Sequence, residues 1–139
     1  MLAPKKVKYR KWQSARRQGA RRVAPDTRGV AMAFGSFGLK AMTQSRVTSN
    51  QIEAARRALS RAAGKSAKIW IRIFPDRPFT RKPAEVRMGS GKGDLAGYIF
   101  DVRPGRILFE LDGATEAVAR EALRKAGTKL PVKVRIIAR

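Results

Sequence analysis

The dipeptide Pro104-Gly105 lies between two apolar segments, and it constrains the fold of this chain more than any other feature. Residues 98–102 and 106–111 are rich in branched and aromatic side chains, which favour strands. Proline fixes φ at the second position of a type II turn, and glycine accepts the positive φ at the third. We therefore predict an antiparallel hairpin here, with its second strand ended by Asp112-Gly113.

Further strands follow from alternation of side chains. Residues 68–74 alternate strictly, which predicts a strand with Ile69, Ile71 and Ile73 facing the core. The opposite face carries Trp70, Arg72 and Phe74, and it is covered either by another element or by nucleic acid. Short strands are predicted over 39–47 and 132–137. Pro75, Pro78 and Pro83 lie in and beside the basic segment from Asp76 to Lys82, which predicts an irregular connection.

Two helices are predicted from caps and apolar periodicity. The first opens with a capping box, formed either by Thr48 with Gln51 or by Asn50 with Glu53. Its apolar stripe contains Ile52, Ala55, Leu59, Ala62 and Ala63, and Gly64 ends it. The second spans about 115–126 and is stopped by Gly127; its stripe contains Val118, Ala119, Ala122, Leu123 and Ala126. We predict an α+β domain at 34–139, with both helices on one face of a mostly antiparallel sheet in a two-layer sandwich.

The charge balance indicates the class of partner. Thirty-two Lys and Arg residues against ten Asp and Glu residues give a net charge of +22. A compact domain repels itself at such a charge unless a polyanion neutralises it, so the expected partner is either nucleic acid or an anionic membrane surface. No apolar run is long enough to span a bilayer, which argues against a membrane-spanning protein. Because no apolar stretch follows the basic residues at the start of the sequence, we expect no secretory signal there.

The residue types present argue against catalysis. The chain has no cysteine and no histidine, which removes thiolate nucleophiles, Cys/His zinc sites and histidine acid–base chemistry. A hydrolase could still be built on carboxylates, but only Glu110 and Asp112 are closely spaced. We expect these two to share one face of a strand, to end that strand and to start a helix. We predict no enzyme activity, no cofactor, no metal and no small-molecule substrate.

Residues 1–33 form a basic N-terminal arm that lacks sustained periodicity, so we expect it to order on its partner. Tyr9 and Trp12 lie among its cations and either stack on unpaired bases or pack on the domain's own surface. The Phe-Gly repeat that follows, Phe34 to Gly38, predicts a turn into a strand, with its phenylalanines in the core or on a base.

Residues 85–94, here called the glycine finger, alternate glycine with Ser90 and Lys92 after Arg87. Glycine at every second position permits positive φ and close backbone approach, so the segment suits a thin loop lying along phosphates. A nucleotide-binding P-loop is disfavoured, because its first glycine would have to stand where Val86 is and no helix pattern follows. A ligand-free flexible tip is the plainer alternative.

The first predicted helix also carries a basic stripe, Arg57, Arg61, Lys65 and Lys68, with Arg56 beside it. Such faces are often simply solvated. Because few acidic residues stand at helical spacing here, we expect this stripe to face RNA phosphates.

Several segments together resemble the bacterial-type large-subunit ribosomal protein sixteen family. The likeness covers nearly the whole chain in order, apart from a longer arm segment between Val23 and Met32. The segments are Met-Leu-x-Pro-Lys at 1–5, Phe-Gly-Ser-Phe-Gly-Leu-Lys-Ala at 34–41, Gln-Ile-Glu-Ala-Ala-Arg-Arg-Ala at 51–58, Lys-Ile-Trp-Ile-Arg-Ile-Phe-Pro-Asp at 68–76, Val-Arg-Met-Gly-x-Gly-Lys-Gly at 86–93, Pro-Gly-Arg-Ile-Leu-Phe-Glu-Leu-Asp-Gly at 104–113 and Lys-Leu-Pro-Val-Lys at 129–133.

The resemblance implies a structural protein of the cytoplasmic ribosome. It would bind large-subunit rRNA beside the central protuberance and near the peptidyl-transferase region, contact neighbouring proteins and help shape the aminoacyl-site tRNA environment. The arginine matching Arg87 is hydroxylated in some members, which makes Arg87 a candidate modification site. The predicted rRNA-binding residues are Lys5, Lys6, Lys8, Arg10, Lys11, Trp12, Arg16, Arg17, Arg21, Arg22, Arg46, Arg57, Arg61, Arg72, Arg81 and Lys82, and the predicted loop near rRNA and tRNA is Arg87, Met88, Gly89, Ser90, Gly91, Lys92 and Gly93.

Overall fold

A computed structural model describes residues 2–13 and 24–139 of the chain. Within them the elements are β1 (Phe37–Ala41), β2 (Ser45–Thr48), α1 (Ser49–Ala63), β3 (Lys68–Ile71), β4 (Arg77–Arg81), β5 (Asp94–Val102), β6 (Ile107–Asp112), α2 (Glu116–Gly127) and β7 (Val134–Ala138). All strand pairs are antiparallel and both helices form, so the predicted α+β class is confirmed. The strands divide into two sheets, with orders β3-β6-β1-β7 and β2-β5-β4.

The Pro104-Gly105 turn is confirmed, but the hairpin predicted around it is wrong. Gly105 has φ 94°, and the N–H of Arg106 donates to the carbonyl of Arg103 at 3.3 Å. However, β5 pairs with β2 and β4, whereas β6 pairs with β1 and β3. The N–H of Gly105 donates to the carbonyl of Ala41 at 2.7 Å, so the chain joins the end of β1 directly after the turn. All five residues of 107–111 are buried, as in a central strand covered on both faces.

Two other strand predictions are corrected by the pairing. Residues 39–47 are not one strand, because the chain leaves the larger sheet at Ala41 and enters the smaller one at Ser45. The segment predicted as an irregular connection contains β4, in which Pro78 stands opposite Tyr98. β4 is an edge strand, and an edge tolerates proline because one side of the strand needs no N–H donors.

The helix α1 matches its prediction closely. Thr48 is the N-cap, its side chain accepts from the N–H of Gln51, and the side chain of Gln51 accepts from the N–H of Thr48. That arrangement selects the first of the two predicted capping boxes. Ile52 and Leu59 are fully buried, and Gly64 follows the last helical residue with φ 83°.

The helix α2 departs from its prediction at two residues. Val118 is exposed, because the buried stripe that begins at Ala119 lies on a neighbouring side of the helix. Gly127 does not stop the helix but is its last residue, capped by Thr128. A Cβ on Gly127 would lie 2.6 Å from a methyl group of Val134, so this glycine allows α2 to pack closely against β7.

Candidate nucleic-acid interface

The glycine finger connects β4 to β5 and is exposed along most of its length, with the side chain of Met88 95% exposed. A strand follows it rather than a helix, so the exclusion of a P-loop is confirmed. Gly89 and Gly91 have φ values of 106° and 98°, and a Cβ on either would meet no atom within 4 Å. Gly93 differs, because its Cβ would lie 2.8 Å from the backbone of Arg81. Only Gly93 is therefore needed for the chain's own packing.

The arm runs beside the base of the glycine finger. Lys92 donates from Nζ to the carbonyl of Trp12, and Lys11 Nζ lies 3.5 Å from a carboxylate oxygen of Asp94. At its beginning the arm is fixed to the domain, because the hydroxyl of Ser49 donates to the carbonyl of Leu2 at 2.6 Å. The two segments that the sequence marks as contact elements therefore form one continuous surface.

Most of the arm cations that lie within the described residues are accessible on that surface. Tyr9 and Trp12 are 61% and 45% exposed, so each presents much of its ring to solvent. The Nζ atom of Lys8 lies 5.4 Å from the centroid of the Tyr9 ring. Lys5, Lys6, Lys8 and Arg10 are exposed and Lys11 is half-buried, while Arg16, Arg17, Arg21 and Arg22 lie outside the described residues.

The basic stripe predicted on the first helix does not exist as one helical face. α1 ends at Ala63, so Lys65 and Lys68 lie beyond it and Lys68 begins β3. Arg57 also has an acidic partner, since its Nε lies 3.0 Å from Glu53, which Arg56 contacts at 2.7 Å. Hydrogen bonding from Arg56, together with Arg57, lowers the pKa of Glu53 to about 2 despite some desolvation.

A buried carboxylate, which was predicted only to end a strand and start a helix, holds the end of the arm. Glu110 is fully buried in β6, and its Oε2 accepts from the N–H groups of Phe34 and Gly35 at 2.7 and 2.8 Å. The N–H of Ala33 and the guanidinium of Arg72 also donate to this carboxylate. Burial raises the pKa of Glu110, but these donors outweigh it and hold the pKa below 4.5. The sequence signal for this buried carboxylate was the position of Glu110 among the apolar residues of a predicted strand.

The same contact decides how the second face of β3 is covered. Trp70 stacks on Phe34 with ring centroids 6.0 Å apart, and the Arg72 guanidinium lies 5.1 Å from the Phe34 centroid. Another part of the chain therefore covers Trp70 and Arg72, which was the first of the two predicted alternatives, whereas Phe74 is 43% exposed. Phe37 packs against the core, whereas Phe34 stays 56% exposed. Arg72 remains a predicted rRNA contact, although its guanidinium is engaged within the chain.

Residues 24–33 lie against the Pro104-Gly105 turn. The N–H of Asp26 donates to Pro104 at 2.8 Å, and the carbonyl of Gly29 accepts from Ile107 at 2.9 Å. Arg106 donates to the carbonyl of Arg28 and contacts Asp26 at 3.6 Å. The last part of the predicted arm, including the described part of its longer segment, is thus packed on the domain.

Other predicted contact residues lie on the smaller sheet. Arg81 is exposed at the end of β4, and Lys82 donates to the carbonyl of Gly89 within the glycine finger. Arg46, on β2, is 63% exposed and lies 3.4 Å from Asp101. None of these three is enclosed by the protein.

The fold and this surface define a class of protein: a small α+β domain that presents basic extensions to a polyanion. A family model described as ribosomal protein L16p/L10e matches residues 4–137. The chain belongs to this family, as the sequence resemblance indicated. It is a structural constituent of the large ribosomal subunit that binds rRNA, alongside other proteins of the subunit, in the cytoplasmic ribosome. In the described residues, neither helix is long and apolar enough to cross a bilayer.

Proposed function

We propose that this chain binds large-subunit rRNA beside the central protuberance and near the peptidyl-transferase region, and that it helps form the aminoacyl-site tRNA environment. The observation that carries the proposal is the junction of the arm and the glycine finger at Lys92, Trp12, Lys11 and Asp94. Two separately placed basic segments meet there, so one RNA surface can contact both.

The side chains of the glycine finger supply charge without a reactive group. Arg87 and Lys92 are exposed on either side of Gly89 and Gly91, where a Cβ would meet no atom within 4 Å. Binding there releases counterions from the RNA, which gives affinity with little base specificity. Specificity comes from the fit between the bare backbone and RNA shape. In this proposal the chain positions RNA and catalyses nothing, and Arg87 is a candidate for modification.

Ribosomes that carry an Arg87→Gln, Lys92→Gln variant test the tRNA part of the proposal. We expect aminoacyl-site tRNA affinity to fall about tenfold with peptidyl-site affinity unchanged, because two charge-assisted contacts are lost at one site only. The matched control is Arg120→Gln, Lys125→Gln, which removes two charges from exposed positions of α2. Equal tRNA affinities in both variants would contradict the proposed role at the aminoacyl site.

The rRNA part has its own measurement, which is sedimentation with the large subunit after a high-salt wash. A specific constituent stays with the subunit, whereas a general nucleic-acid binder is released and binds unrelated RNAs equally well. Recovery of the chain in the unbound fraction would refute the proposal.

A further inference from the structure

A basic cleft of about 550 Å³ opens at the end of the smaller sheet that lies away from the glycine finger. Its charged lining consists of Arg46, Arg77, Asp101 and Arg103. Strand register explains why they meet. Arg46 stands directly opposite Asp101, and Arg77 stands opposite Ile99, two residues before Asp101. Side chains two residues apart share a face of a strand, so Arg77 lies on the same side as Asp101. Arg103 follows the last residue of β5 and completes the lining.

The single carboxylate orients two of the three guanidinium groups. Arg46 Nε lies 3.4 Å from Asp101 Oδ1, and Arg77 Nη1 is paired with Oδ2 of the same carboxylate. Arg103 is exposed and has no carboxylate partner within the described part of the chain. Three positive charges therefore face one negative charge. A guanidinium has five N–H donors, and contact with one carboxylate oxygen leaves several of them available to a further acceptor.

We propose that this cleft binds a phosphate group of the RNA backbone. Planar guanidinium groups match phosphate oxygens in pairs, and Asp101 holds two of them in place before binding. An acidic protein segment is a poorer fit, because the cleft offers little apolar surface and its apolar lining residue Val102 is only 2% exposed. The proposal rests on the proposed rRNA binding and adds a second contact. About seven residues of β5 separate Asp101 from Asp94, so the cleft lies about 20 Å from the base of the glycine finger.

The first test uses Arg103→Gln, which removes a cleft charge that holds no other part of the described chain. Its binding to large subunits that lack this protein is compared with that of Arg120→Gln, a matched charge loss on α2. We expect Arg103→Gln to weaken binding about fivefold to tenfold and to reduce the slope of log affinity against log salt by about 0.7 to 0.9, the range for one phosphate contact in single-stranded and duplex nucleic acid. The control should change affinity less than twofold. Equal effects of the two variants would overturn the proposal.

The second test identifies the occupant of the cleft. Because the chain has no cysteine, Gln44→Cys places a unique thiol on the cleft lining and keeps all three arginines. A photo-cross-linker on this thiol should attach to rRNA in assembled subunits, and a cross-link to protein alone, or to nothing, would overturn the proposal. Met88→Cys is the reference: if it cross-links to rRNA and Gln44→Cys does not, only the cleft assignment fails. If neither does, the proposed function fails with it.

Discussion

Replacement of Glu110 by glutamine tests how the fold holds the end of the arm. The carboxylate accepts from three backbone N–H groups and from Arg72 through two oxygens. Glutamine has one acceptor oxygen, so its amide NH2 must face at least one of these donors in either orientation. The substitution also leaves the Arg72 guanidinium, which is 19% exposed, without its anion.

These losses set the expected magnitude. Breaking a buried ion pair by removing one partner costs about 3 to 5 kcal/mol, and partial access of water to Arg72 favours the lower end. We therefore expect Glu110→Gln to lower the free energy of unfolding by about 3 kcal/mol, which corresponds to a fall in Tm of about 10 °C for a chain of this size.

Urea unfolding followed by circular dichroism measures the change, with Glu121→Gln as the control. Glu121 pairs with Arg124 on exposed α2, and hydrogen bonding from Arg124 lowers its pKa to about 2, but water screens that pair. The control should leave the unfolding midpoint almost unchanged. A loss below about 1 kcal/mol for Glu110→Gln would refute the assignment of this carboxylate as the clamp.

Three further predictions follow from the same contacts. Because folding lowers the pKa of Glu110 from 4.5, its contribution to stability is present above pH 4.5 and is lost as pH falls through the folded-state pKa. The free energy of unfolding, measured from pH 7 to pH 3, should therefore fall less steeply with acid in Glu110→Gln than in the unaltered chain, and equal slopes would contradict this. Gly29→Ala should destabilise the domain by about 2 kcal/mol, since it combines φ 62° with a Cβ only 2.8 Å from the guanidinium of Arg106, which its contacts with Arg28 and Asp26 hold in place. Gly64→Ala, with φ 83° and open space, should cost only about 1 kcal/mol in urea unfolding, and equal costs for the two variants would refute the steric contribution. Gly91→Val adds backbone strain at φ 98° but its Cβ meets no atom within 4 Å, so the purified domain should stay folded while subunit maturation in sucrose gradients is impaired. Normal maturation would disprove close approach of the glycine finger to RNA.

Local signals in the sequence predicted local structure well. Thr48 and Gln51 form the predicted capping box, and Pro104-Gly105 forms the predicted turn, because each depends on residues within one turn of the chain. The pairing of strands depends on distant partners. No residue near the turn indicates that β6 pairs with β1 instead of β5, because the N–H of Gly105 donates to the carbonyl of Ala41, which is distant in sequence.

The candidate site divides in the same way. Charge and glycine spacing identified the arm and the glycine finger, but their junction at Lys92 and Trp12 joins residues eighty positions apart. Likewise, Arg46 is the only arginine of the cleft that was predicted from the sequence to contact rRNA. Arg77 and Arg103 join it only through the register of β4 and β5 and the turn that follows.

Directed cleavage of rRNA from the glycine finger is the most direct measurement of the central claim. Met88→Cys supplies a unique thiol at a fully accessible position, and an iron chelate attached there generates hydroxyl radicals within the assembled subunit. We expect strong strand cleavage in rRNA of the peptidyl-transferase region, with the same chelate at Val118→Cys on α2 giving a different pattern. Absence of rRNA cleavage from position 88 in subunits that retain the protein would contradict the claim that this loop lies in RNA.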